Sequence, residues 1–121
     1  MAWKFNSEAP VSKQIGDRLR LDILSGRYER GSQFPTVRAL ALETAVNPNT
    51  VQKALAVLES EGLLVTQGTV GRFVTEDEKI LGDTKKALQK EYVKRVISEA
   101  SLLGITGEDF IEILKNEEVE K

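Results

Sequence analysis

Asn49, Gln52 and Lys53 stand at i, i+3 and i+4 in the stretch VNPNTVQKALAVLESEGLL, residues 46–64. On a helix that spacing gathers them on one face. Each amide offers a donor and an acceptor that can pair bidentately with N6 and N7 of adenine, and an ammonium beside them reaches guanine or a phosphate. Arg38 lies shortly before them, and its guanidinium can grip a phosphate or a guanine edge. Thr36 and Thr50 add hydroxyls for phosphate, although both also stand where a helix start wants them. An ordinary solvated helix face would accept the same residues, with Arg38 paired to Glu29 or Glu43. The elements that carry them have to decide.

The missing chemistry narrows the field. The 121 residues contain no cysteine and no histidine, which removes disulfides, thiolate metal sites, and the commonest metal ligand and general base. No cofactor and no metal is expected. Glu108 and Asp109 form a carboxylate pair, but at a helix start they complement the dipole better than they would serve hydrolysis, so no enzyme is expected. There is no apolar run long enough to span a bilayer, and MAWKFNSEAP lacks the apolar middle of a secretion signal, which makes the cytoplasm the expected compartment. Residues 1–75 carry nine Lys/Arg against seven Asp/Glu, and residues 76–121 carry eight against twelve. A mildly basic front and an acidic tail suit a DNA-contacting part joined to one that stays off DNA.

In PVSKQIGDRLRLDIL the apolar residues Val11, Ile15, Leu19 and Ile23 recur at helical spacing behind Pro10. SGRYERGSQFP follows as a loop, with turns at Gly26, Gly31 and Pro35. Thr36 then caps a short helix, VRALALETA. Asn47 is a favoured N-cap and Pro48 fits the first helical position, so a third helix starts here. Its buried stripe is Val51, Ala54, Leu55 and Leu58, Gly62 ends it, and Asn49, Gln52, Lys53 and Ala56 fall on the opposite side. The three or four residues between these two helices are a helix-turn-helix connection.

LLVTQ and RFVT are short β-forming runs around GTVG. They read as a two-stranded wing whose turn, with Gly68, Gly71 and Arg72, can lie on a sugar-phosphate ridge or enter a minor groove. Three helices and a hairpin in this order make a mainly α winged helix-turn-helix over residues 1–75. Trp3 and Phe5 are expected to cover the first helix or a partner subunit.

Residues 76–121 read as a helical tail for dimerisation. Leu88, Tyr92, Val96, Ala100 and Leu103 line one side of a long helix, and Val93 and Ile97 widen it to nearly half the circumference. So wide a face exceeds what one docking needs. After Gly104, Thr106 and Asp109 occupy the two positions of a capping box, with Ile105 and Phe110 placed as a hydrophobic staple. Phe110, Ile113 and Leu114 then form the inner stripe of a short last helix, and NEEVEK is expected to fray. With few polar groups converging on it, the tail face reads as an association surface rather than a ligand pocket.

Residues 10–74 resemble the DNA-binding domain of GntR-family bacterial transcription regulators. The likeness is carried by PVSKQI, ILSGRYERG, FPTVRALA, VNPNTVQKAL, LESEGLL and GRFV, which follow the family patterns P-[IV]-x-x-Q-I, I-x-x-G-x-x-x-x-G, L-P-[ST]-x-R-x-L-A, V-[NS]-x-x-T-V-x-x-A-L, L-E-x-x-G-[LI]-[LIV] and G-x-[FY]-V. The short tail resembles that of the YtrA-type subfamily, which lacks a large effector domain and uses two C-terminal helices to dimerise. The resemblance implies DNA contacts from Arg38, Asn49, Thr50, Gln52 and the wing around Gly68 and Gly71, with Thr36 and Lys53 in support. It also implies a homodimeric repressor on a palindromic operator, often that of an ABC transporter operon. Phe34 stands where the family usually has Leu; some members place arginines at the positions of Pro48 and Gln52, and glycine is frequent at that of Thr69. The operator rules of those members therefore do not carry over. A small-molecule effector is the remaining expected partner, without a site the residues name. The rival reading is a winged-helix module whose recognition face binds another protein.

Overall fold

The computed structural model describes residues 3–117. Of the end expected to fray, residues 118–121 lie outside the described residues. The elements run α1 (Val11–Leu24), α2 (Val37–Thr44), α3 (Pro48–Ser60), β1 (Leu64–Gln67), β2 (Gly71–Val74), α4 (Glu78–Leu102) and α5 (Gly107–Asn116). They fall into two compact units, Met1–Thr84 and Lys85–Lys121, with the division inside α4.

In the first unit α1 and α2 both pack on α3, and β1 follows on its far end. Ile15 and Leu19 of α1, Leu40 of α2, Val51, Leu55 and Leu58 of α3, and Leu63 and Leu64 after it form a core almost closed to solvent. Full burial of such a side chain contributes about 1.5–3 kcal/mol relative to exposure, so this stripe sets how α3 sits. Trp3 and Phe5 pack against this core beside Val11 and Leu24. The Trp3 indole also donates to Glu43, 3.1 Å away, and lies under the Arg18 guanidinium at 4.6 Å. Ile80 and Leu81 bring the start of α4 onto the same core.

The caps follow local chemistry. Thr36 Oγ1 accepts from the Ala39 amide at 3.0 Å and Asn47 Oδ1 from the Asn49 amide at 2.8 Å, with Pro48 heading α3. Pro10 is the N-cap of α1. Gly62, at φ +82°, turns the chain out of α3, a conformation that costs glycine nothing. The link between α2 and α3 is Ala45, Val46 and Asn47, and Ala45 takes the left-handed conformation at φ +60° without being glycine.

β1 and β2 pair antiparallel in the register Leu64 with Val74, Val65 with Phe73, Thr66 with Arg72 and Gln67 with Gly71. The segment expected to be only a loop adds a short third rung: Gln33 bridges Phe73, the Phe34 amide donates to Arg72 O at 2.8 Å, and the Val74 amide donates to Ser32 O at 2.9 Å. Phe34 is buried and its ring lies 4.7 Å from that of Tyr28.

In the second unit α5 opens with the expected capping box, in which Thr106 and Asp109 exchange hydrogen bonds. Neither α4 nor α5 has a buried residue. Tyr92, Val93, Ile97, Leu103, Ile113 and Leu114 are all at least half exposed, as are Leu102 and Ile111; Leu88, Val96, Ala100 and Phe110 are half-buried. No helix among the described residues is long and apolar enough to cross a membrane.

Candidate nucleic-acid interface

The burial of Val51, Ala54, Leu55 and Leu58 leaves the other side of α3 to solvent, and Asn49, Gln52 and Lys53 are exposed there. Asn49 and Gln52 lie in the first turn and a half of the helix, where free amides and the positive end of the dipole also face outward. The side chains of Asn49, Gln52 and Lys53 have no hydrogen bond or ion pair among the described residues. Thr50 is half-buried beside them.

Arg38, in the first turn of α2, is exposed and likewise unpaired among the described residues. The partners a surface arginine would have taken are elsewhere: Glu43 accepts from Trp3. Most other cations of this unit are paired, Lys4 and Arg27 being the exceptions among the described residues. Arg20 binds Glu61 and Asp17, Arg30 binds Glu78, Lys13 binds Asp17 and Arg72 binds Glu59. A cation and two amides left without partners at the head of α3, with a free guanidinium on the helix packed against it, form a donor-rich surface that fits phosphates and base edges. Thr36 is an exposed cap whose hydroxyl is already engaged as an acceptor and can still donate.

The wing turn, Gly68 to Val70, is exposed, with Val70 open to solvent. Gly71 has φ +131°, which favours glycine, and a Cβ there would stand 3.2 Å from Gln33 Nε2, a tight contact that the glutamine side chain would have to ease. Arg72 is placed differently from the others. Its Nε donates to Glu59 Oε1 at 2.5 Å, with its side chain mostly covered, and Glu59 Oε2 accepts from Thr66 at 2.6 Å. Glu59 is ten residues after Asn49, about 15 Å further along the helix axis. The structure thus gathers Asn49, Gln52 and Lys53 at one end of α3 and fastens Arg72 to the other. The sequence reading missed Gln33, Glu59 and Thr66; the only available signal for them was the acid–base complementarity of Glu59 and Arg72, which needs the hairpin register to be recognised.

Comparison with known proteins agrees with this geometry. Residues 11–74 match the family described as bacterial regulatory proteins, gntR family. The HTH-type transcriptional repressor YtrA of Bacillus subtilis (strain 168) is 34% identical over 110 residues, covering 90% of this chain and 85% of that protein. A GntR family transcriptional regulator from Listeria monocytogenes superposes with a TM-score of 0.85 at 35% identity, over 94% of this chain and all of that one. The DNA-binding domain of AraR, solved in complex with operator ORR3, is similar at 27% identity and TM-score 0.53, over 62% of this chain and 93% of that domain. The winged helix-turn-helix, the polar head of α3 and the match over more than half its length place this chain in the gntR family, as a DNA-binding transcription regulator.

Proposed function

We propose that the protein is a homodimeric repressor of a palindromic operator, read by Arg38, Asn49 and Gln52. Thr36, Thr50 and Lys53 hold the phosphate backbone, and the wing turn at Gly68 and Gly71 lies against the sugar-phosphate ridge. The observation that carries this reading is the set of unpartnered donors at the head of α3 and on Arg38, in a unit whose Arg18, Arg20, Arg30 and Arg72 all face carboxylates. Dimerisation is supported by the tail, where α4 and α5 fully bury none of their apolar side chains and leave Tyr92, Val93, Ile97, Ile113 and Leu114 at least half exposed; a second copy supplies the cover and the two-fold that a palindrome needs. The resemblance to YtrA-type regulators directs the search for regulated genes to ABC transporter operons, beginning with its own.

The test is fluorescence anisotropy of a labelled duplex from the region upstream of its own gene, against a scrambled duplex, at two salt concentrations. The expected result is two chains per duplex and, for roughly 6–10 phosphate contacts, an affinity that falls about a thousandfold or more between 50 and 200 mM salt. Equal binding to both duplexes, or none, would turn the recognition face over to a protein partner.

A further inference from the structure

We propose that Arg72 is a positioning residue which, with Glu59, Thr66 and Gln33, locks the wing to the recognition helix. The inference rests on the DNA-binding reading above and reassigns one residue within it. An arginine beside a wing turn would ordinarily be taken as a phosphate or minor-groove contact. Here its guanidinium is mostly covered and faces Glu59 in the last turns of α3.

Two clamps act on the hairpin. One pair below its turn, Glu59 accepts from both strands at once, from Thr66 Oγ1 on β1 with one oxygen and from Arg72 Nε on β2 with the other. Thr66 and Arg72 are cross-strand partners, so a single carboxylate ties the pair to α3. The hydrogen bond from Thr66, and then that from Arg72, holds the Glu59 carboxyl below its ordinary range, so the acceptor is ionised at neutral pH. Nearer the tip, Gln33 Nε2 donates to Val70 O at 3.0 Å, and the Gln33 backbone bridges Phe73. The glycine at 71 lets that amide come close.

A two-stranded ribbon is marginal by itself and free to swing about its root. Held just below the turn and at the turn itself, the wing moves with α3 as one body, so both DNA-contacting elements reach their grooves without the wing being ordered at the moment of binding. The acidic Glu59, unfavourable near DNA as a bare charge, is neutralised by the same contact.

The experiment uses the full chain with Glu59→Ala, Arg72→Met, their double variant and Gln33→Ala. In the free protein, amide hydrogen exchange at residues 68–71 is expected to speed up about tenfold in each variant, while Leu55 and Leu58 in α3 keep their protection. On the upstream duplex, Glu59→Ala and Arg72→Met should each weaken specific binding several-fold. The double variant should be no weaker than the worse single, because both remove one device. The salt slope of Arg72→Met should match that of the unmodified protein. A slope lower by about one, together with tighter binding by Glu59→Ala, would make Arg72 a phosphate contact and Glu59 its competitor, overturning the proposal. Unchanged exchange at the wing turn in all variants would also overturn it. If the unmodified protein does not discriminate the duplex, the DNA reading fails by itself, and the exchange arm still decides the clamp.

Discussion

Arg20 of α1 and Glu61, at the end of α3, meet through two parallel hydrogen bonds, Nε to Oε1 and Nη2 to Oε2, each 2.8 Å. Arg20 reaches Asp17 as well, at 2.9 Å, and only 16% of its side chain is exposed. The hydrogen bond that Arg20 donates to Glu61 chiefly raises its already high pKa, so the guanidinium stays charged across the accessible range. The fork fixes where the C-terminal end of α3 lies against α1, complementing the apolar stripe nearer its start. Arg20→Met should lower unfolding free energy by about 1–2 kcal/mol, discounted because Glu61 is partly solvated. Urea denaturation checks this, and a change below about 0.3 kcal/mol would mean the pair is only a surface contact.

Acid should weaken the fold through two carboxylates. Burial alone would raise the Asp17 carboxyl, but hydrogen bonds from Lys13 and Arg20 outweigh it and hold it below 3.8. Glu59 is held below 4.5 by Thr66 first and Arg72 second. Both groups bind protons more weakly in the fold than in the unfolded chain, so their stabilisation is present above the ordinary values and drains away as pH falls through the lower folded ones. Thermal melts should therefore show Tm declining from about pH 4.5 downward, with a smaller decline in Glu59→Gln. An identical acid limb in that variant would remove Glu59 from the account.

Base reading and backbone holding should separate by substitution. Asn49→Ala or Gln52→Ala is expected to cost about 1–3 kcal/mol at particular base pairs of the operator. Lys53→Ala should weaken binding alike on every sequence and lower the salt slope by about one. Binding titrations on single-base-pair operator variants distinguish the two patterns. Uniform weakening by Asn49→Ala and Gln52→Ala would remove them as base readers.

The caps predict stability changes. Asn47→Ala should destabilise the protein by about 1 kcal/mol, because the Asn49 amide loses its acceptor. Thr36→Ser, which keeps the capping oxygen for Ala39, should be nearly neutral where Thr36→Ala costs a similar amount. Chemical denaturation reads both, and equal losses for Ser and Ala would assign the effect to the Thr36 methyl group.

The tail should control association. Val93 and Ile97 are about half exposed on α4, and Val93→Glu with Ile97→Glu would set charges where an apolar partner is proposed. Sedimentation is expected to show a dimer becoming a monomer, and operator affinity should fall by at least a hundredfold as the second half-site contact is lost, an effect of order 3 kcal/mol. A dimer unaffected by both charges would move the interface to another face.

Local rules made much of this protein legible. The caps at Thr36, Asn47 and Thr106 depend on residues three or fewer positions away. The stripe Val51, Ala54, Leu55 and Leu58 follows from helical period alone. Together they also determined which face of α3 would be left polar, and so the surface holding Asn49, Gln52 and Lys53. What the sequence could not determine was which charged groups would be spent on one another. Arg38 and Arg72 look alike along the chain, as arginines beside a turn, but one is left unpaired and the other is bound to Glu59, thirteen residues away. The same holds for Arg20 with Glu61, for Trp3 with Glu43 and for Gln33 with the wing. Periodicity fixes the direction a side chain leaves its own helix or strand. Pairing across elements depends on distances set only when the core has closed, and for that reason the tertiary structure decided that Arg72 is engaged and Arg38 is left without a partner among the described residues.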